Sequence, residues 1–343
     1  MKKFIRFLFR CINQSLRVIF IPLGDIFQVI FYIKNLSDSL LHVVLGGKPY
    51  KCTIPYKKEQ RQNIFVVLAN GPSLTEDLAL IEKCSQIEAE RTYAMMNFSA
   101  NENIFLKYKP QYYCFADPMF YSPDDRYERV KKVFDNINNL VDWDMTVVLK
   151  ENISDFIKFS KITNPKIHFE RAIGIKCNLK KWTKFRLYKN GLASPTFATV
   201  ANLAVFMGIQ EGYKQIELCG VDMSFFEGLC VNEENETCTI EKHYYDNSSH
   251  MKPYILHSTG KAIPLAMYID MVGDMVKSHN DISEYGKWLG VSFLNRTYNS
   301  MLDCYPRLNM HCERQSQTNN ILGKANELRC KSFSGTNETH LYY

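Results

Sequence analysis

The chain has no Cys-x-x-Cys pair among its eleven cysteines, which excludes a zinc ribbon. The odd count, with Cys114 and Cys219 inside apolar strand-like runs, points instead to buried free thiols in a reducing compartment. A clean apolar run of the ~20 residues that a membrane span needs is also missing. The best stretch, 18–33, is broken by Pro22, Gly24, Asp25 and Gln28. Positive charge is modest, at +6 over 343 residues, and is not laid out as a stripe, so no nucleic-acid partner is expected. Neither Asp117 nor Asp222 belongs to an Asp-x-Asp, and no metal site is expected. No internal repeat is visible.

Much of the positive charge falls in the first 17 residues, at Lys2, Lys3, Arg6, Arg10 and Arg17. On a helix, Lys3, Arg6, Arg10, Asn13, Gln14 and Arg17 share one face. Phe4, Ile5, Phe7, Leu8, Ile12 and Leu16 take the other sides. The charges continue past the start and no small-residue cleavage site follows, so this reads as an interfacial helix and not a secretory leader. Residues 1–33 are expected to attach the chain peripherally to the cytoplasmic face of an inner membrane. Residues 1–47 form the membrane-associating segment.

From residue 62 onward the pattern is α/β. Strands are expected at Ile64–Ala69, Thr92–Met96, Tyr112–Ala116, Thr146–Leu149, Lys166–Phe169, Gln215–Cys219 and Val291–Leu294. Helices are expected at Thr75–Cys84, Asn101–Tyr108, Tyr127–Asn138, Pro195–Met207 and Lys261–Ser278. That alternation predicts a Rossmann-like, mostly parallel sheet with helices on both faces, a GT-A-like variant. The expected organisation is an α/β domain at 62–224, a lid or acceptor region at 225–259, the rest of the α/β domain at 260–308, and a polar tail at 309–343. A homo-oligomer is compatible with the sequence.

The most informative stretch is 64–77. A buried strand runs into Asn70-Gly71-Pro72-Ser73, and Ser73-x-x-Glu76 reads as a capping box. Gly71 allows close backbone approach, and the helix behind Ser73 offers N–H groups. Such a turn holds a nucleotide or sugar phosphate at a strand's carboxyl end. Glu76 and Asp77 would repel a phosphate, so the turn's backbone and Asn70 are expected to do more than the dipole. The other carboxyl-end candidates are Asn97, Asp117 and Asp222, able to bind a base, a ribose or hydroxyls. Ser194, with Pro195 at the first helical position, reads as a second helix cap that can face an anion. His257 and His243 are the histidines placed for acid–base work, His243 beside Tyr244 and Tyr245 in the long, irregular 225–254 segment.

Asn70-Gly-Pro-Ser-Leu, the Asn97 segment, Phe115-Ala-Asp-Pro, Ser194, Ala201-Asn-Leu-Ala-Val-Phe-Met-Gly, Ile216-Glu-Leu-Cys-Gly-Val-Asp and Tyr254-x-x-His257-Ser occur in one order. Over roughly residues 62–300 this resembles the bacterial sialyltransferases of glycosyltransferase family 42 and the wider group sharing their Asn-Gly-Pro-Ser turn. The resemblance implies a metal-independent, inverting transferase that uses CMP-sialic acid and needs no cofactor. The expected partners are that nucleotide-sugar donor and an oligosaccharide or glycolipid acceptor. It implies that Asn70, Gly71, Pro72 and Ser73 meet the CMP phosphate and ribose, with Asn97, Asp117 and Asp222 lining the donor site. Ser194 and Thr196 would lie near the cytosine, and His257 would be the general base. Two departures stand out. Ser224 occupies the place of the family's tyrosine, for which Tyr244 or Tyr245 can substitute, and Lys189 or Asn190 stands where the family has an arginine. Two other readings remain: a Mg-dependent pyrophosphokinase-like enzyme of the wider group, and a non-catalytic glycan-assembly protein.

Overall fold

Residues Phe65 to Leu68 are wholly buried, a run with no polar alternation, as a strand covered on both faces requires. They sit at the heart of a seven-stranded sheet seen in a computed structural model, which describes residues 26, 27, 30, 33, 54–59, 61–84, 90–150, 152–172, 180–240, 243–245, 251–256 and 259–307. The strands are β1 (Arg61–Leu68), β2 (Arg91–Met96), β3 (Tyr112–Phe115), β4 (Met145–Leu149), β5 (Ile167–Arg171), β6 (Tyr213–Cys219) and, last in the chain, β12 (Ser292–Asn295). Every pairing is parallel, in the order β12-β6-β1-β2-β3-β4-β5. The chain walks outward from β1 to β5 and then returns to the other side of β1. The switch of direction therefore lies between β1 and β6, the place where open α/β sheets leave a crevice at their carboxyl ends.

Helices cover both faces. One face carries α1 (Leu74–Cys84), α2 (Asn103–Tyr108), α3 (Tyr127–Leu140) and α4 (Ile153–Ser160) over an aromatic-rich core that includes Phe105, Phe115, Phe134 and Phe156. In α3 the buried residues Val130, Val133, Phe134 and Ile137 recur at helical spacing. The other face carries α5 (Lys181–Lys189), α6 (Val200–Gln210) and α7 (Leu265–Trp288). Residues Ala201 to Gln210 of α6 are buried all round, so this helix is a core element lying on the sheet under α7.

The expected strands all occur, within a few residues of their expected ends. Two helix starts differ. The helix expected from Pro195 begins at Val200, because Thr199 and Asn202 form a reciprocal capping box. Ser194 is therefore not a helix cap. The helix expected from Lys261 begins at Leu265, after Pro264, because Lys261–Ala262 pairs as strand β11 with β10 (Ile255–Leu256). The 225–254 segment contains a small antiparallel sheet, β7 (Cys230–Val231), β8 (Thr237–Thr239) and β9 (Lys252–Pro253). The N-terminal helix expected over residues 1–17, His257, and the tail from residue 309 lie outside the described residues. The described residues through Pro306 fall in one unit, and Arg307 belongs to a second. Among the described residues no helix is long and apolar enough to cross a membrane.

His279 on α7 is fully buried between the cap and the chain's last described turn, with Nε2 3.3 Å from Thr199 Oγ1 and Nδ1 3.2 Å from the Tyr305 hydroxyl. Burial pushes its imidazole down to about 3. Below the ordinary value near 6.5 the unfolded chain takes up a proton that the folded chain refuses, so falling pH destabilises the fold by about 1.4 kcal/mol per unit from this group. Urea unfolding of the parent and of His279→Gln at roughly pH 7 and pH 5 should show the parent losing about 2 kcal/mol more. Equal pH slopes would contradict a neutral buried ring.

Candidate functional site

The Asn70–Ser73 turn is locked from within. Gly71 N–H donates to the Gly220 carbonyl at 2.8 Å, and Leu74 N–H donates to the Gly71 carbonyl. Ser73, immediately before α1, donates its hydroxyl to Asp222 Oδ2 at 2.9 Å, and its backbone N–H also serves that carboxylate. An internal carboxylate thus sits where the expected reading put a phosphate. Gly71 is required here by crowding: a Cβ at this position would lie 1.8 Å from Asp222 Oδ2 and 2.5 Å from the Gly220 carbonyl oxygen. Pro72 supplies no N–H at all. Burial raises the Asp222 carboxyl above its usual range, and the Ser73 hydrogen bonds pull it back.

Beneath the turn lies a network that the sequence reading did not find. Asp77 is buried, and its Oδ2 accepts from Gly220 N–H at 2.8 Å, from Thr297 Oγ1 at 2.9 Å and from Ser73 Oγ at 3.4 Å. Thr297 Oγ1 in turn accepts from Val221 N–H at 3.0 Å. The preceding residue, Arg296, makes a two-pronged pair with Glu217 of β6, both contacts 2.8 Å, with both side chains buried. Asp77 therefore does not confront a ligand. It ties the ends of β1, β6 and β12 together, and Gly220 meets it with a φ of 65° that favours glycine.

The neighbouring crevice, over β1, β2 and β3, is built differently. The Asn70 side chain clamps strand ends: Nδ2 donates to the Met96 carbonyl at 3.3 Å and Oδ1 accepts from the buried Ser99 hydroxyl at 2.7 Å. Asn97 follows β2 with a φ of 50°, and its Nδ2 donates to Asp117 Oδ2 at 2.6 Å. Its Oδ1 is buried and has no hydrogen-bond partner among the described residues. Asp117 follows β3. Burial pushes its carboxyl up, opposed by the Asn97 hydrogen bond and then by the charges of Arg126, Lys150 and His243.

Residues 243–245 cross onto this crevice. Tyr244 N–H donates to the Asn70 carbonyl at 3.1 Å. The Arg129 guanidinium of α3 lies 4.3 Å from the Phe98 ring centre and 4.5 Å from that of Tyr245, and Tyr245 stacks on His243 at 5.1 Å. Burial raises the Tyr244 hydroxyl well above the ordinary phenol value, so it stays protonated. The structure thus brings Asn70, Asn97, Asp117, His243, Tyr244 and Tyr245 together, with Gly71, Ser73 and Asp222 adjacent at the β1–β6 switch. Ser194 and Thr196 lie on the connection from α5 to α6, which reaches this edge where Lys150 Nζ meets the Phe197 carbonyl at 3.4 Å. Ser194 is buried, its hydroxyl on the Pro195 carbonyl at 3.3 Å, while Thr196 is exposed. Sequence reading missed Lys150, Arg126 and Arg129; the only signal was their position just beyond strand ends or on the next helix.

No protein-family model matches the chain, and no curated protein matches it. Among solved structures, one titled the MAf glycosyltransferase from Magnetospirillum magneticum AMB-1 is similar over 76% of this chain and 35% of its own, at 12% identity and a TM-score of 0.40. The chain thus spans about a third of that protein's length. The α/β assignment rests on the sheet itself.

Proposed function

We propose that the chain is an inverting, metal-independent glycosyltransferase. It moves sialic acid, or a related nonulosonic acid, from a CMP-sugar to a hydroxyl of a cell-surface or lipid-linked oligosaccharide. The observation that carries this reading is the Asn97–Asp117 hydrogen bond at the carboxyl ends of β2 and β3, with His243 acting electrostatically on Asp117. Asn97 Oδ1 and the Asp117 carboxylate are acceptors, suited to the hydroxyls or amino groups of a sugar, ribose or base. Lys150 and Arg126, whose charges reach Asp117, supply the cations that the filled turn lacks. In the reaction the acceptor alcohol loses its proton to an imidazole. Its oxygen attacks the anomeric carbon from the face opposite the phosphate, and the carbon–oxygen bond to CMP breaks with its electron pair leaving on the phosphate. Fixed cations and donors around that oxygen stabilise the departing charge.

The family resemblance gives the base role to His257, which lies outside the described residues; His243, stacked on Tyr245 and acting electrostatically on Asp117, is the alternative base that this proposal puts forward. The purified chain, offered a panel of CMP- and UDP-sugars with EDTA present, should release CMP from CMP-sialic acid, faster when an oligosaccharide acceptor is added. Turnover only with Mg²⁺, or only of UDP-sugars, would overturn the proposal. On this reading the basic N-terminal residues 1–33 hold the enzyme peripherally at the cytoplasmic face of the membrane.

A further inference from the structure

At the opposite edge of the sheet the chain presents a surface that the transferase reading does not use. Helix α5 runs Lys181-Trp-Thr-Lys-Phe-Arg-Leu-Tyr-Lys189, and with Lys180 it carries five cations and no acidic residue over 180–189. Phe185 and Tyr188 turn inward. Trp182 turns outward, 61% exposed, with the Arg186 guanidinium 3.6 Å from its ring centre. Trp288, at the end of α7, packs on Phe185 of α5 with ring centres 5.9 Å apart and is 43% exposed, with Lys189 Nζ 5.8 Å from its ring and 5.4 Å from that of Tyr56. Lys214 Nζ lies 6.0 Å from the Tyr56 ring on its other approach. The acids nearby are already engaged. Glu284 pairs with Lys181, Asp281 pairs with Lys184 and accepts from Tyr188, and Glu211 holds Lys57 and Arg61.

Tryptophan and tyrosine rings interleaved with lysine and arginine suit the headgroup layer of a bilayer, where the ring is half wetted and the cation meets lipid phosphate. Continuity of the chain points the same way. Tyr56 N–H donates to the Lys189 carbonyl at 3.0 Å, and Gln210 Nε2 donates to the Ile54 carbonyl, so the N-terminal segment enters the fold at this face. That segment carries Lys2, Lys3, Arg6, Arg10 and Arg17. Its described residues Ile26, Phe27, Ile30 and Ile33 are exposed, apolar and at one-face helical spacing.

We infer that the face made by α5, Trp288 and Tyr56 docks the folded body onto an anionic lipid surface, as a second contact beyond the N-terminal segment and independent of the reaction catalysed. The chain contains three tryptophans, and the third, Trp143, is packed on Phe105 in the opposite helical layer, with its Nε1–H on the Pro110 carbonyl at 2.7 Å. The full chain, mixed with vesicles of phosphatidylglycerol and brominated phosphatidylcholine, should bind and show quenched tryptophan fluorescence. The Trp182→Phe/Trp288→Phe double variant should still bind but lose most of the quenching. Neutralising two surface cations in Arg186→Gln/Lys189→Gln should weaken binding about thirtyfold, and vesicles of phosphatidylcholine alone should bind less. Bound protein with unquenched tryptophans would leave the N-terminal segment as the sole contact and overturn the inference. So would binding unchanged by the double neutralisation, or retention on RNA with none on vesicles.

Discussion

Glu217→Ala is expected to lower the unfolding free energy by about 3–5 kcal/mol, because it leaves the Arg296 guanidinium buried without its carboxylate. The pair is two-pronged and both partners are buried. Its net worth against an apolar pair is small, so Glu217→Met combined with Arg296→Met should recover most of the loss. Urea denaturation of the single variant and the double variant measures this directly. A double variant as unstable as the single one would mean that Arg296 acts through something other than its charge. The damage should also spread. Arg296 N–H donates to the Leu218 carbonyl, and the next residue, Thr297, donates to Asp77, which holds Gly220 opposite Gly71. Loosening one end of this chain of contacts frees the turn at the β1–β6 switch.

His243→Ala is expected to lower kcat by about 10²–10⁴-fold, the range that a positioned general base contributes. His257→Ala should cost less than about tenfold on the same scale. Each variant is assayed for CMP release across pH. Loss of the acidic limb of the kcat profile in His243→Ala alone gives the base role to His243. Loss in His257→Ala alone returns the base role to the residue that the family resemblance names. Near-normal turnover in both variants would remove imidazole catalysis altogether.

What the sequence revealed follows from how each feature is encoded. The strands were legible because parallel strands covered on both faces are short unbroken apolar runs, as in Phe65-Val-Val-Leu and Thr146-Val-Val-Leu. Helix α6 was misplaced at its start because Ser194-Pro195 imitates a cap, whereas the cap that forms uses Asn202 where the usual signature has a glutamate or glutamine. Helices α4 and α5 escaped notice: each is short, and α5 mixes cations with aromatics at no helical period. The carboxyl-end residues Asn97 and Asp117 were found because βα turns are punctuated by such side chains. Asp77 reads from sequence as a first-turn carboxylate that would repel a nearby phosphate. Its partners Gly220 and Thr297 come from β-ends 143 and 220 residues away, beyond the reach of any local pattern. The filling of the turn by Asp222 was hidden for the same reason.

The polarity of the sheet has one more consequence. The aromatic and cationic rim around Tyr56 and Trp288 borders the strands' first residues, and the crevice of Asn97 and Asp117 borders their last. The eight residues of β1 stretch over about 26 Å. If the proposed transferase sits on lipid by that rim, its crevice stands at arm's length from the bilayer, and a stub of one sugar on a membrane anchor would fall short of it. On that proposal the expected acceptor is the far tip of an already extended glycan, and turnover should climb with the number of sugars between anchor and tip.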